Sequence, residues 1–185
     1  DILVISIDTI HPAASAGTSL ILNCYNNGSD TLDASASDLG AGYTLLWSGP
    51  GINPGNASSV QPVVTLPGVY SLTITNTDNT CSSTAQTNVA SDLVAPTADA
   101  GADQIIDCVT TSTVIGGNSS AGANFTYLWT GPAITPGNAT SAAPIVDIQG
   151  TYNLIVTNST NGCTSTDAMD VTLNAVYPAA SAGID

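Results

Sequence analysis

The chain states one sentence twice. Residues 43–55 run Tyr43-Thr-Leu-Leu-Trp47-Ser-Gly-Pro50-Gly-Ile52-Asn-Pro54-Gly55, and residues 125–137 run Phe125-Thr-Tyr-Leu-Trp129-Thr-Gly-Pro132-Ala-Ile134-Thr-Pro136-Gly137. Trp47 to Trp129, Tyr70 to Tyr152 and Cys81 to Cys163 are each 82 residues apart. Cys24 to Cys108 is 84, which places a two-residue loss in the second copy just after its first cysteine. Pro12-Ala-Ala-Ser-Ala-Gly17 returns as Pro96-Thr-Ala-Asp-Ala-Gly101 and again as Pro178-Ala-Ala-Ser-Ala-Gly183. A fixed period of this length means small units in tandem, each closing its own core. The frame puts one repeat at 11–94, a second at 95–177 and the start of a following one at 178–185. Segment 1–10 aligns with 168–176 and reads as the last strand of a preceding repeat, or as a strand donated to a neighbour. The chain opens at Asp1 without a methionine or a signal-peptide pattern, as a processed product or a fragment would.

Within each copy the apolar residues alternate. Tyr43, Leu45 and Trp47 share one face, as do Phe125, Tyr127 and Trp129. Pro67-Gly68 leads into Tyr70, Leu72 and Ile74, and the second copy answers with Tyr152, Leu154 and Val156. Period-2 alternation is the mark of a half-buried strand. Asn27-Gly28 predicts a hairpin with a return strand from Thr31-Leu32. About seven short strands per unit, with turn residues every 8–12 positions, predict an all-β β-sandwich. Trp47, Trp129, Tyr70 and Tyr152 fall on the inward faces and are assigned to the cores. With no Lys, Arg or Glu, the chain also lacks most strong helix formers.

All 14 acidic residues are Asp, and the formal net charge is −14. Nucleic acid has no cation here to displace its counterions, so it is excluded as a partner. An anionic membrane surface is excluded on the same electrostatics. No apolar run of about 18 residues is present for membrane insertion. Apolar residues make up 43% of the chain, enough to fill cores despite the charge.

Four cysteines fall two per unit. Three pairings are open in principle; the repeat favours the within-unit ones, Cys24 with Cys81 and Cys108 with Cys163. Such a bond would close a loop of 57 or 55 residues and stabilise by about 4 kcal/mol in the chain-entropy model. Zinc binding calls for closely spaced ligand pairs that the sequence lacks. Disulfides point to an oxidising, extracytoplasmic location.

Leu-Asp-Ala-Ser-Ala-Ser at 32–37, the Tyr-x-Leu-x-Trp strands, Gly-Val-Tyr-Ser-Leu-Thr-Ile-Thr-Asn at 68–76 and Asn-Gly-Cys at 161–163 carry a resemblance. Over both units the chain resembles the PKD-like and immunoglobulin-like tandem repeats of large secreted Bacteroidota surface adhesins and gliding-type surface filament proteins. Trp47-Ser-Gly-Pro stands where PKD domains carry Trp-Asp-Phe-Gly-Asp-Gly, so PKD-like is the fitting label. The resemblance implies tandem seven-stranded immunoglobulin-like sandwiches acting as a spacer or stalk at the cell surface. It also implies an O-glycosylation pattern, Asp-Ser/Thr-aliphatic, matched at Thr9 and Thr31.

Chemistry is scarce. His11, the only histidine, sits in a linker position that the other copies fill with Ala95 and Tyr177. General acid–base work would fall to Asp alone, and no paired-carboxylate or nucleophile motif stands out, so no enzyme is expected. No cofactor is required. Asp99 and Asp103 flank the opening of the second unit and are the candidate Ca²⁺ ligands, although Ser15 and Ser19 replace them in the first copy. Sequons occur at Asn27, Asn56, Asn118, Asn124, Asn138 and Asn158, with Asn56 and Asn138 at equivalent loop positions. The expected function is a disulfide-stabilised structural or adhesive module of a long extracellular filament, each unit about 35–40 Å long. Its partners would be its own neighbouring repeats or subunits and surface glycans. The alternative is a carbohydrate-binding or spacer module of a secreted multidomain hydrolase.

Overall fold

The computed structural model describes residues 8–175. Most of the expected strand at 1–10, and all of the opening at 178–185, lie outside the described residues; residues 8–10 are not in a strand. The chain divides between Leu93 and Val94 into two compact units. Each is all-β and immunoglobulin-like, built from two sheets.

Unit 1 contains β1 (Leu20–Asn23), β2 (Asp30–Thr31), β3 (Tyr43–Ser48), β4 (Val63–Val64), β5 (Gly68–Asn76) and β6 (Ser82–Asp92). One sheet has the order β1-β6-β5-β3, and β2 pairs with β4 in the other. The β3-β5-β6 ladder is antiparallel, whereas β1 runs parallel to β6, with Leu20 opposite Val89 and Asn23 opposite Asp92. Unit 2 repeats this with β7 (Gln104–Asp107), β8 (Thr113–Val114), β9 (Phe125–Thr130), β10 (Ile145–Val146), β11 (Gly150–Asn158) and β12 (Thr164–Asn174). Its sheets are β7-β12-β11-β9 and β10-β8, and β7 runs parallel to β12. Three adjoining strands of one sheet facing a smaller pair is the immunoglobulin sandwich arrangement.

The alternation sets which faces meet. On β5, Tyr70, Leu72 and Ile74 are buried while Val69 is exposed; on β11, Tyr152, Leu154 and Val156 take the same places. Trp47 and Trp129 are each 1% exposed. Their indole N–H groups donate to the carbonyls of Ser59 and Ser141 at 3.1 and 3.0 Å, so neither polar edge is stranded in its core. Leu22, Leu32, Val64 and Val89 complete the core of unit 1; Ile106, Ile115, Val146, Met169 and Val171 complete that of unit 2. Each such aliphatic side chain stabilises by about 1.5–3 kcal/mol relative to exposure.

The Gly-Pro turn after each tryptophan has a steric cause. A Cβ on Gly49 would stand 2.6 Å from the Tyr70 ring, and one on Gly131 would stand 2.5 Å from the Tyr152 ring. The tyrosine ring fills the space that a side chain on the glycine would need. Its hydroxyl then reaches the turn: Tyr70 Oη is 2.7 Å from the carbonyls of both Pro50 and Leu66, and Tyr152 Oη donates to Ile148 at 2.6 Å.

Three expectations require correction. Asn27-Gly28 turns the chain, with φ of 53° and 67°, but makes no hairpin, because β1 and β2 belong to different sheets. Leu32 decides this: it is buried, and its N–H donates to Pro62, which draws the return strand onto β4. Six strands per unit, not seven, stand in regular ladders among the described residues. Segment 12–17 forms no ladder and is held to residues 37–38 by single bonds: the N–H groups of Ala13 and Ser15 donate to Asp38 Oδ2 and Ser37 Oγ, and the Asp38 N–H donates to the Ala13 carbonyl. The two lost residues are also not adjacent. Ile115 takes the role of Leu32, 83 positions on, donating to Pro144; Ser119 takes that of Ser37, 82 positions on. One residue is missing on each side of Ile115.

Candidate functional site

The cysteines do not pair within units. Cys24 and Cys163 are disulfide-bonded, whereas Cys81 and Cys108 are free thiols. Register explains why the within-unit expectation fails. Cys24 follows Asn23, which sits opposite Asp92 at the end of β6, and Cys81 precedes Ser82 at its beginning. Ten residue steps at about 3.3 Å separate the two ends by about 33 Å, whereas a disulfide needs Cα atoms within about 7 Å. Cys108 and Cys163 stand at opposite ends of β12 in the same way, Asp107 being opposite Asn174 and Cys163 preceding Thr164. Each unit thus carries one cysteine at either pole.

Both poles are built by hydrogen bonds that recur between copies. At the pole where the chain enters, Asn79 Nδ2 donates to the Ile10 carbonyl at 3.0 Å while its Oδ1 accepts the Cys81 N–H at 2.9 Å. Asn161 does the same in unit 2, donating to Val94 at 3.0 Å and accepting from Cys163 at 3.0 Å. His11 Nδ1 adds a contact to the Ser82 carbonyl at 3.0 Å, so the histidine serves the entry clamp of unit 1. At the opposite pole Asn23 Oδ1 accepts from the N–H groups of Tyr25 and Asn26 at 3.0 and 3.3 Å. Asp107 Oδ1 accepts from Val109 and Thr110 at 2.8 and 2.6 Å. The cysteine lies inside this Asx turn in both copies. Asn79 escaped the sequence reading and Asn161 entered it only within the Asn-Gly-Cys motif, although an Asn two residues before the second cysteine of each copy was a visible signal.

The carboxylates are largely spent on the backbone. Asp99 accepts from the N–H groups of Gly101 and Asn118 at 2.9 and 2.6 Å, and these donors hold its pKa below the ordinary carboxylate value. Asp103 Oδ1 accepts from the Asp170 N–H at 2.9 Å. The two candidate Ca²⁺ ligands therefore serve different loops, and among the described residues no three His, Cys, Asp or Glu side chains gather around one point. Asp107 is lowered by the Thr110 and Val109 N–H groups, and Asp33 by Ser35 and Gln61.

Of the candidate glycosylation positions, Thr9 and Thr31 are exposed and Asn56 and Asn138 half-buried. Asn56 Oδ1 caps Asn53 N–H at 2.8 Å; Asn138 caps Thr135 at 2.7 Å and donates to Ala133 at 3.2 Å. An open, mostly apolar depression in unit 1 is lined by Leu46, Ile52, Asn53, Pro54 and Ala57, with no titratable side chain. No helix among the described residues is long and apolar enough to cross a membrane.

No protein-family profile matches the chain, and no curated protein matches it in sequence. Solved structures that resemble it are tandem immunoglobulin domains. Drosophila OTK extracellular domains 3–5 are 12% identical with a TM-score of 0.45, over 88% of this chain and 62% of that one. Titin domains I67–I69 are 10% identical at 0.46, over 89% and 66%. The N-terminal eight Ig domains of Down Syndrome Cell Adhesion Molecule are 14% identical at 0.40, over 89% and 24%. The chain spans less than two thirds of each. The fold assignment itself rests on strand order.

Proposed function

We propose that the chain is a structural module of an extracellular or cell-surface filament, a run of disulfide-stabilised spacers set in series. One observation carries this reading. Each unit takes the chain in beside the start of its last strand, where Asn79 or Asn161 clamps it, and follows that 11-residue strand toward the opposite pole. A unit traversed end to end adds its strand length, about 33–36 Å, to the contour. The rest of the molecule fits a passive role: carboxylates occupied by backbone N–H groups, and both tryptophans inside the cores, where no sugar ring can stack on them. A disulfide suits a location outside the reducing cytosol. The negative charge would keep such fibres soluble and hold them apart laterally.

Electron microscopy of the purified chain tests the proposal. Two beads in line, spaced by about one unit length, are the expected image. Particles in which the beads lie side by side would overturn it.

A further inference from the structure

Cys81 and Cys108 have no use inside their own units, yet each sits in a framework whose counterpart holds a bonded cysteine. The entry-pole framework occurs around Cys81 as Asn79 with Ile10, and around Cys163 as Asn161 with Val94; Cys163 is disulfide-bonded. The far-pole Asx turn occurs around Cys108 on Asp107 and around Cys24 on Asn23; Cys24 is disulfide-bonded. Each position of the repeat is therefore seen once as a thiol and once in a disulfide, on the same hydrogen-bonded scaffold. The thiols are placed for reaction, Cys108 exposed and Cys81 partly so.

We propose that Cys108 of one copy of this chain forms a disulfide with Cys81 of the next, head to tail, so that covalent bonds between ends build the filament. The inference deepens the in-series reading above and rests on it. One reactive end at each pole makes every copy bivalent, and a heterologous contact that does not close into a ring extends without limit. The chemistry needs an external disulfide, of low molecular weight or on a protein, as oxidant. The Cys108 thiolate attacks one of its sulfurs and expels a thiol. The Cys81 thiolate of the next copy then attacks the Cys108 sulfur of that mixed disulfide and expels the second thiol. Two cysteine thiols lose two electrons and two protons, and the oxidant gains both as two thiols.

The test oxidises the purified full chain with glutathione disulfide and separates the products without reductant. A ladder at multiples of 18.4 kDa, collapsing with dithiothreitol, is expected, with a Cys108–Cys81 cross-linked peptide in the mass map. Cys81→Ser and Cys108→Ser should each stop the ladder, keeping native near-UV circular dichroism because neither thiol is bonded in the fold. Mixed together, these two variants should give the heterodimer at least tenfold over either homodimer. Wild type that stays monomeric, a Cys81–Cys108 bond within one chain, or homodimers that match the heterodimer would each overturn the proposal. In-line beads with no ladder would sink this inference alone; a ladder grown from side-by-side beads would sink the spacer reading alone.

Discussion

Thr80 sits where its counterpart is Gly162, at the tip of the hairpin joining the last two strands of a unit. Both residues are left-handed, with φ of 60° and 75°. Glycine takes this conformation freely, while an L-residue loses about 1–2 kcal/mol there. Against that, a new glycine adds about 0.5–1 kcal/mol of entropy to the unfolded chain. Thr80→Gly should therefore stabilise unit 1 by about 0.5–1 kcal/mol, and Gly162→Thr should destabilise unit 2 by about as much. Hydrogen exchange followed by mass spectrometry reads the two units separately. The expected outcome is slower exchange of the β5 and β6 amides by about 2–5-fold in Thr80→Gly, with β11 and β12 unchanged. Gly162→Thr should give the mirror image. Unit 1 amides that exchange faster, or protection that shifts in the untouched unit, would refute the reasoning from backbone strain.

Tyr70→Phe should cost about 1–3 kcal/mol in urea unfolding, since it leaves the Pro50 and Leu66 carbonyls without their shared donor and gains no packing; an unchanged midpoint would show that water replaces the hydroxyl. Stability should also be confined to a pH window. Asp33, Asp99 and Asp107 are depressed by hydrogen bonds from their neighbours, so their contribution is present above the unfolded value near pH 4 and lost as pH falls through their folded values. Tyr70 and Tyr152 are raised by burial, so theirs is present below about pH 10 and lost as pH rises through their folded values. Thermal melts of Asp99→Asn against wild type from pH 2 to 7 should show a flatter acid limb in the variant, and an identical limb would remove Asp99 from the account.

How much of this could be read from residues alone depended on the range of the interaction. Alternation through Tyr43, Leu45 and Trp47 is local, and it sufficed to identify β3, its face and its copy β9. The all-β class followed from many such stretches. Strand pairing is a long-range choice, and there the reading failed. Nothing near Asn27-Gly28 reveals that Leu32 gains more from burial in the core, with its N–H on the Pro62 carbonyl, than from a hairpin return. The cysteine pairing failed for a related reason. Proximity was inferred from membership of one repeat, but β1 running parallel to β6 sends Cys24 to the far end of the strand that Cys81 begins. The polar clamps were hidden differently: asparagines in an Asn-rich chain look alike until their two neighbours are known, and only their recurrence before the second cysteine marked them out.

The parallel edge pair has a mechanical consequence. If a unit were pulled from residue 10 at one pole and residue 93 at the other, β1 would be drawn back by its beginning and β6 forward by its end. Because these strands run side by side in the same direction, the tension falls along them as shear, and the rungs from Leu20–Val89 to Asn23–Asp92 must give way together. An antiparallel pair loaded from one end would instead peel open one rung at a time. The edge that places the cysteines at opposite ends thus also sets how the unit resists extension.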